Sequence, residues 1–140
     1  MDPELEKYRE LFSLDARDQL EAIRDLVPKW EADPGNIELV KNLHRAFHSL
    51  KGLSATMGFS DIFALSQKMV VLFDKMRTGL TKKMDVNKIL KPEDFGGEGK
   101  IAAGSPSLVS QVADLSRQSL EELEKLVRKH SDENPPQSLK

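Results

Sequence analysis

Leu5, Tyr8, Phe12, Ala16, Leu20, Ile23, Val27 and Trp30 recur at spacings of three and four, and this rhythm constrains the fold more than any other feature. Residues three and four apart share one face of a helix, so the run makes a single apolar stripe. The period returns in Val40, Leu43, Phe47, Leu50, Ser54 and Met57, and again in Ile62, Leu65, Met69, Leu72, Phe73 and Met76. A fourth stripe runs through Leu108, Val112, Leu115, Ser119, Leu123 and Leu126. No segment alternates with the period of two that a strand needs. The pattern predicts an all-α fold, an antiparallel up-down four-helix bundle.

Boundary signals agree with the stripes. Asp2 is a good N-cap and Pro3 suits a first helical position, so the first helix runs from about Pro3 to Trp30. Pro28 is placed to end or kink it early. Asp33-Pro34-Gly35 marks a turn, and Asn36 is a cap candidate for a second helix over Ile37 to Met57. Gly58 suits its C-terminal stop. The third helix starts behind Ser60 and ends near Gly79. A short extra helix is expected within 85–91, around Val86, Ile89 and Leu90. Phe95 to Gly99 and Ala102 to Gly104 read as an exposed loop, making 81–104 an insertion. Ser105 as N-cap and Pro106 open the last helix, which frays near His130. The bundle therefore spans 1–130, and 131–140 reads as a flexible tail or the start of a linker, as in a domain cut from a longer protein.

Composition narrows the function classes. The chain has 140 residues, 39% hydrophobic and 31% charged, which fits one globular domain with a modest core. With 21 basic and 23 acidic residues the formal net charge is -2, so no basic excess points to nucleic acid or anionic lipid. No cysteine is present, which excludes disulfides and thiolate metal sites. No apolar run is long enough for a membrane span, and the acidic N-terminus has no signal-peptide core, so a cytoplasmic location is expected.

His48, Lys51 and Gly52 carry the chemistry. His48 and Lys51 each lie one position past the second stripe, on its shoulder, and Lys51 is one turn from the imidazole. Neutral imidazole is a nucleophile near neutral pH, and a lysine is a mobile charge that neutralises phosphate oxygens. Gly52 in mid-helix costs about 1 kcal/mol relative to alanine. Close approach of a partner and tight helix packing both explain that cost. Arg45, Lys41 and Lys68 add a diffuse positive field. Gly96-Gly97-Glu98-Gly99 lacks the Lys-Ser/Thr of a P-loop, so the chain has no ATP site of its own.

The segment from Arg45 to Phe59, with His-x-x-Lys-Gly followed by Ala-Thr-Met-Gly-Phe, resembles the histidine phosphotransfer (HPt) domain, most closely the N-terminal phosphotransfer domain of CheA-type chemotaxis kinases. The likeness covers about residues 3 to 80. It implies a bundle whose second helix displays one phosphorylatable histidine, here His48. His48 would take a phosphoryl group from ATP on a separate kinase catalytic domain and pass it to an aspartate of a response-regulator receiver domain. Only His48, Lys51 and Gly52 carry over directly: Lys51 would supply phosphate charge and Gly52 would face the partner, and His44, Arg45 and Lys68 are further candidates for the partner-binding face. ATP and Mg²⁺ come with the partners; this chain binds no cofactor or metal of its own. The resemblance also marks a departure. CheA-like domains carry a glutamate on the third helix that hydrogen-bonds the histidine ring, and that position falls on Val70. Gln67, one turn earlier, is a candidate ring orienter, and a neutral partner stabilises imidazolium less than a carboxylate does. A slower phosphate acceptor is expected.

Blander readings stand beside these. Gln67 fits a polar rim residue equally well. His44, one turn before His48, is either a half-buried bundle residue or a helper at the site; a zinc or haem bundle built on the two histidines is the weaker alternative, since zinc wants a further His or carboxylate nearby and His130 sits in a fraying C-terminal turn. The methionines read as core filling, and Asp15, Asp18, Glu21 and Glu31 as a solvated face. The second functional class is a non-catalytic adaptor that keeps the fold without transfer.

Overall fold

A computed structural model describes residues 3–91 and 107–132. It contains five helices and, among the described residues, no strand: α1 (Pro3–Ala32), α2 (Ile37–Met57), α3 (Ser60–Thr81), the short α4 (Val86–Ile89) and α5 (Leu108–Asp132). Around the bundle, α2 lies between α1 and α3, and α5 closes the ring against both α1 and α3. Neighbours are antiparallel. Glu31 of α1 pairs with Arg117 of α5, while Arg24, nearer the start of α1, pairs with Glu124, nearer the end of α5. Met69 accepts from Ser119, and Asp61 meets His130, which reverses α5 against α3 in the same way.

The connections follow from local chemistry. The Asn36 side chain accepts from the N–H groups of Glu38 and Leu39, satisfying donors that the first turn of α2 leaves unpaired. Gly58 ends α2 at φ 77°, a left-handed conformation that costs a glycine little. Phe59 then caps α3, so Ser60 is its first residue and not its cap, and Asp61 accepts from the Ile62 N–H. With only residues 33–36 and 58–59 as connectors, α1, α2 and α3 must lie side by side.

The core is a single cluster from all five helices, centred on Trp30, Phe47 and Phe73. Trp30 meets Phe73 edge to face and Phe47 stacks on it, each with centroids 5.8 Å apart. Four differences from the sequence pattern have physical causes. Leu5 and Tyr8, the first members of the first apolar stripe, are 45% and 53% exposed. Phe12 meets Phe59 at the α2–α3 corner, whereas Leu5 and Tyr8 line an open groove with Leu53, Thr56 and Met57 of α2, so water reaches them. Pro28 neither ends nor breaks α1; it sits on an exposed face, where the carbonyl it leaves unpaired can meet water. Gly79 does more than mark the end of α3, which falls two residues on at Thr81: it is buried in the last turn, where a Cβ would lie 2.6 Å from Ile89 Cδ1, so its bare backbone seats α4. In α5 the buried row shifts to Val112, Ala113, Ser116, Ser119, Leu120, Leu123 and Val127, leaving Leu108, Leu115 and Leu126 at its edge.

The short helix expected within 85–91 is α4, capped by Asp85. Ser107 caps α5 by accepting from the Ser110 N–H. The cap at Asp2, the loop at Phe95–Gly99 and Ala102–Gly104, the start at Ser105-Pro106 and the tail from 133 onward lie outside the described residues. Among the described residues no helix is long and apolar enough to cross a membrane.

Candidate functional site

The α2–α3 register builds the site. His44 lies beside Asp74, and Lys51 places its ammonium 5.7 Å from the centre of the Phe63 ring. Between these two contacts, antiparallel packing sets His48 level with Gln67 and Val70 of α3. The His48 ring is exposed, as its place on the shoulder of the stripe predicts. Lys51 is half-buried, its stem along Phe63 and its charge one turn from His48.

Gly52 opens the other side. A Cβ built there meets nothing within 4 Å, so helix packing does not require the glycine. It lines a shallow groove of about 330 Å³ between α2 and Asp15 and Gln19 of α1. No pattern in the sequence brings α1 to this face: Asp15 reads there as one of several solvated acids. Val71 is a second residue the stripes leave unexplained, an apolar side chain 57% exposed on the α3 row beside the site.

The remaining candidates divide. Lys68 is exposed on α3, and Arg45 is exposed but donates to Asn42 at 2.8 Å, on its own helix. Lys41 lies 3.9 Å from Glu38. These are a loose field and not a built anion pocket. Val70 is 7% exposed and belongs to the core. Gln67 Oε1 is buried and accepts no hydrogen bond from any described residue.

His44 differs from His48. Its ring lies 5.9 Å from that of His48, centroid to centroid, and its Nε2 is 3.7 Å from Asp74 Oδ1. Burial holds its pKa below the ordinary histidine value; Asp74 pulls the other way, and Arg77, His48 and Arg45 reinforce the depression. His130 is occupied far from here, on Asp61 at 3.0 and 3.1 Å and stacked on Phe59. Among the described residues no three His, Cys, Asp or Glu side chains gather as metal ligands would.

An antiparallel helical bundle displaying one exposed histidine, with a lysine a turn away and an open glycine beside it, has the form of a phosphotransfer module. The chain belongs to the Hpt domain family, whose model matches residues 7–86. It is 32% identical over 76 residues to Chemotaxis protein CheA of Bacillus subtilis (strain 168), a match covering 54% of this chain and 11% of that protein. The CheA of Listeria monocytogenes serovar 1/2a (strain ATCC BAA-679 / EGD-e) is 38% identical over 68 residues, covering 49% of this chain and 11% of the relative. The CheA of Halobacterium salinarum (strain ATCC 29341 / DSM 671 / R1) is 32% identical over 75 residues, covering 54% and 11%. The chain thus spans about a tenth of the length of the curated relatives it matches. No solved structure matches it significantly. Family and relatives together support a phosphotransfer role.

Proposed function

We infer that His48 is a phosphoacceptor that takes a phosphoryl group from ATP held by a kinase catalytic domain and hands it to an aspartate of a receiver domain. The observation that carries this reading is the exposed His48 ring, with Lys51 one turn away and open space over Gly52. In the first step a ring nitrogen lone pair forms the N–P bond while the bond from phosphorus to the bridging oxygen breaks and ADP leaves. In the second the aspartate oxygen attacks phosphorus and the N–P bond breaks. Positioning and charge dominate such steps. The chain contributes the nucleophile, one mobile cation and an unobstructed approach; the partners bring nucleotide and Mg²⁺.

Val70 favours a second reading, an adaptor of the same fold without transfer, because an apolar side chain cannot hold the imidazole in one tautomer. Gln67 is the substitute on the first reading: its buried Oε1 can accept from the His48 ring if the imidazole turns toward α3. One experiment separates the two. With a CheA-type kinase domain and labelled ATP, the phosphocarrier incorporates label that His48→Gln abolishes, and Gln67→Ala slows incorporation about tenfold. No label in the wild-type chain establishes the adaptor. Full-rate labelling in Gln67→Ala removes Gln67 from the mechanism.

A further inference from the structure

His44 has features that its place beside a phosphoacceptor does not require. It sits one turn from His48, with ring centroids 5.9 Å apart and planes inclined by 33°. Its side chain is 22% exposed, enough to exchange protons with water while screened from bulk solvent. The charged and titratable groups around it are Asp74 and Arg77 of α3 and Arg45 and His48 of α2. Asp74 is already shared, accepting from Arg77 at 2.5 Å, so it offers His44 only part of its charge. The balance leaves His44 neutral at neutral pH while His48 is bare, with burial the largest influence.

We propose that His44 is a second hold on the phosphoryl group: it takes up a proton when His48 is phosphorylated, donates to the phosphoryl oxygens, and returns the proton when the group leaves. This rests on His48 as the phosphoacceptor. A phosphoryl group brings a charge of about -1.5 to -2 and three strong acceptor oxygens. Placed on the neighbouring ring, it replaces a repulsive neighbour of the His44 cation with an attractive one. At this separation and partial burial the Coulomb interaction raises the His44 midpoint by roughly one to two pH units. That moves His44 from neutral toward its protonated form near neutral pH. Only an N–H bond of His44 forms or breaks, and the proton comes from water and goes back to it. Lys51 cannot replace this response, because a lysine is charged whether or not the phosphoryl group is present. His44 thereby gives the site a cation that is absent when the nucleophile must be free and present when the group must be held.

The test is a pH titration of the imidazole nitrogens by NMR on the full chain, before and after chemical phosphorylation with phosphoramidate. That donor needs no kinase, so the titration can be made even on a chain that no kinase labels. The expected result is a His44 midpoint that moves up by about one to two pH units on phosphorylation of His48. A second measurement follows phosphohistidine decay between about pH 6 and 9, across the range in which histidines change charge. His44→Gln should decay several-fold faster than wild type below neutral pH and converge with it at the alkaline end, which a structural defect would not reproduce. A His44 midpoint that stays put once His48 is phosphorylated overturns the proposal, as do superimposable decay profiles or a phosphoryl group found on His44 instead of His48.

Discussion

Replacing Gly52 with alanine should stabilise the bundle and slow transfer. Glycine inside a helix is destabilising by about 0.5–1 kcal/mol relative to alanine, because its unfolded backbone has more freedom to lose. Here nothing offsets that gain: the added Cβ meets no atom within 4 Å. The Gly52 carbonyl already accepts from Thr56 Oγ1 at 3.1 Å, an arrangement the new methyl does not touch. Entropies typical of a domain this size convert the gain into a rise in Tm of about 2–3 °C. The open space that makes alanine harmless to the free chain is the space a partner's active site would fill. A methyl forced into a closely packed contact costs about 1–3 kcal/mol, at least a fivefold loss in transfer rate. Thermal unfolding by circular dichroism and phosphoryl transfer from a labelled kinase domain read the two effects on one preparation. Transfer at the wild-type rate in a stabilised Gly52→Ala would show that no partner closes over Gly52. A lowered Tm would show that the fold itself needs the glycine.

Two further outcomes follow from packing and charge. Gly79→Ala should lose about 1–3 kcal/mol in denaturant unfolding, because its Cβ would lie 2.6 Å from both Cδ1 and Cγ1 of Ile89; combining it with Ile89→Ala should destabilise by less than the sum of the single changes, and strict additivity would refute the clash. Asp61→Asn should cost under about 1 kcal/mol at pH 7, since the site is partly exposed and screened. Burial pushes the Asp61 carboxyl up, but the His130 hydrogen bond, the Ile62 N–H and Lys129 outweigh it and leave the pKa below its ordinary 3.8. The unfolded chain then binds more protons than the folded one near that pH, so the wild-type advantage is present above about pH 4 and disappears as acid protonates the folded carboxylate. An Asp61→Asn deficit that persists unchanged at pH 2.5 would contradict the assignment.

Two helical glycines illustrate what a sequence can and cannot disclose. Pattern alone reads Gly52 as a gap beside a histidine and Gly79 as the neighbourhood of a helix end. What separates them is what a Cβ would meet, open space at one and Ile89 at the other, and that depends on where α4 folds back. The helices themselves were legible because the apolar period recurs in each of them, and at both ends of α2 the caps agree with it. The exposure of the first turns of α1 was not: apolar period continues through Leu5 and Tyr8, which line an open groove rather than the core. Likewise His48, Lys51 and Gly52 are local on one helix and could be read together. The pairing of His44 with Asp74 and the approach of Asp15 and Gln19 to Gly52 depend on inter-helix register, which spacing along one chain does not encode.

That register also explains why one α3 position weighs so heavily on the chemistry. His44 faces Asp74, and one turn along the same pair of helices His48 comes level with Val70. The site therefore has a carboxylate, but one turn away from the exposed ring. A carboxylate at Val70 itself would be nearly dry, and a buried ion without a firm partner destabilises a fold by several kcal/mol. Only an imidazole turned inward could offset that cost. Valine instead packs into the core and leaves His48 free to face solvent. Stability of the bundle and orientation of its nucleophile thus compete at a single side chain, and here packing has won, leaving Gln67 and His44 as the groups within the bundle that can still act on the ring.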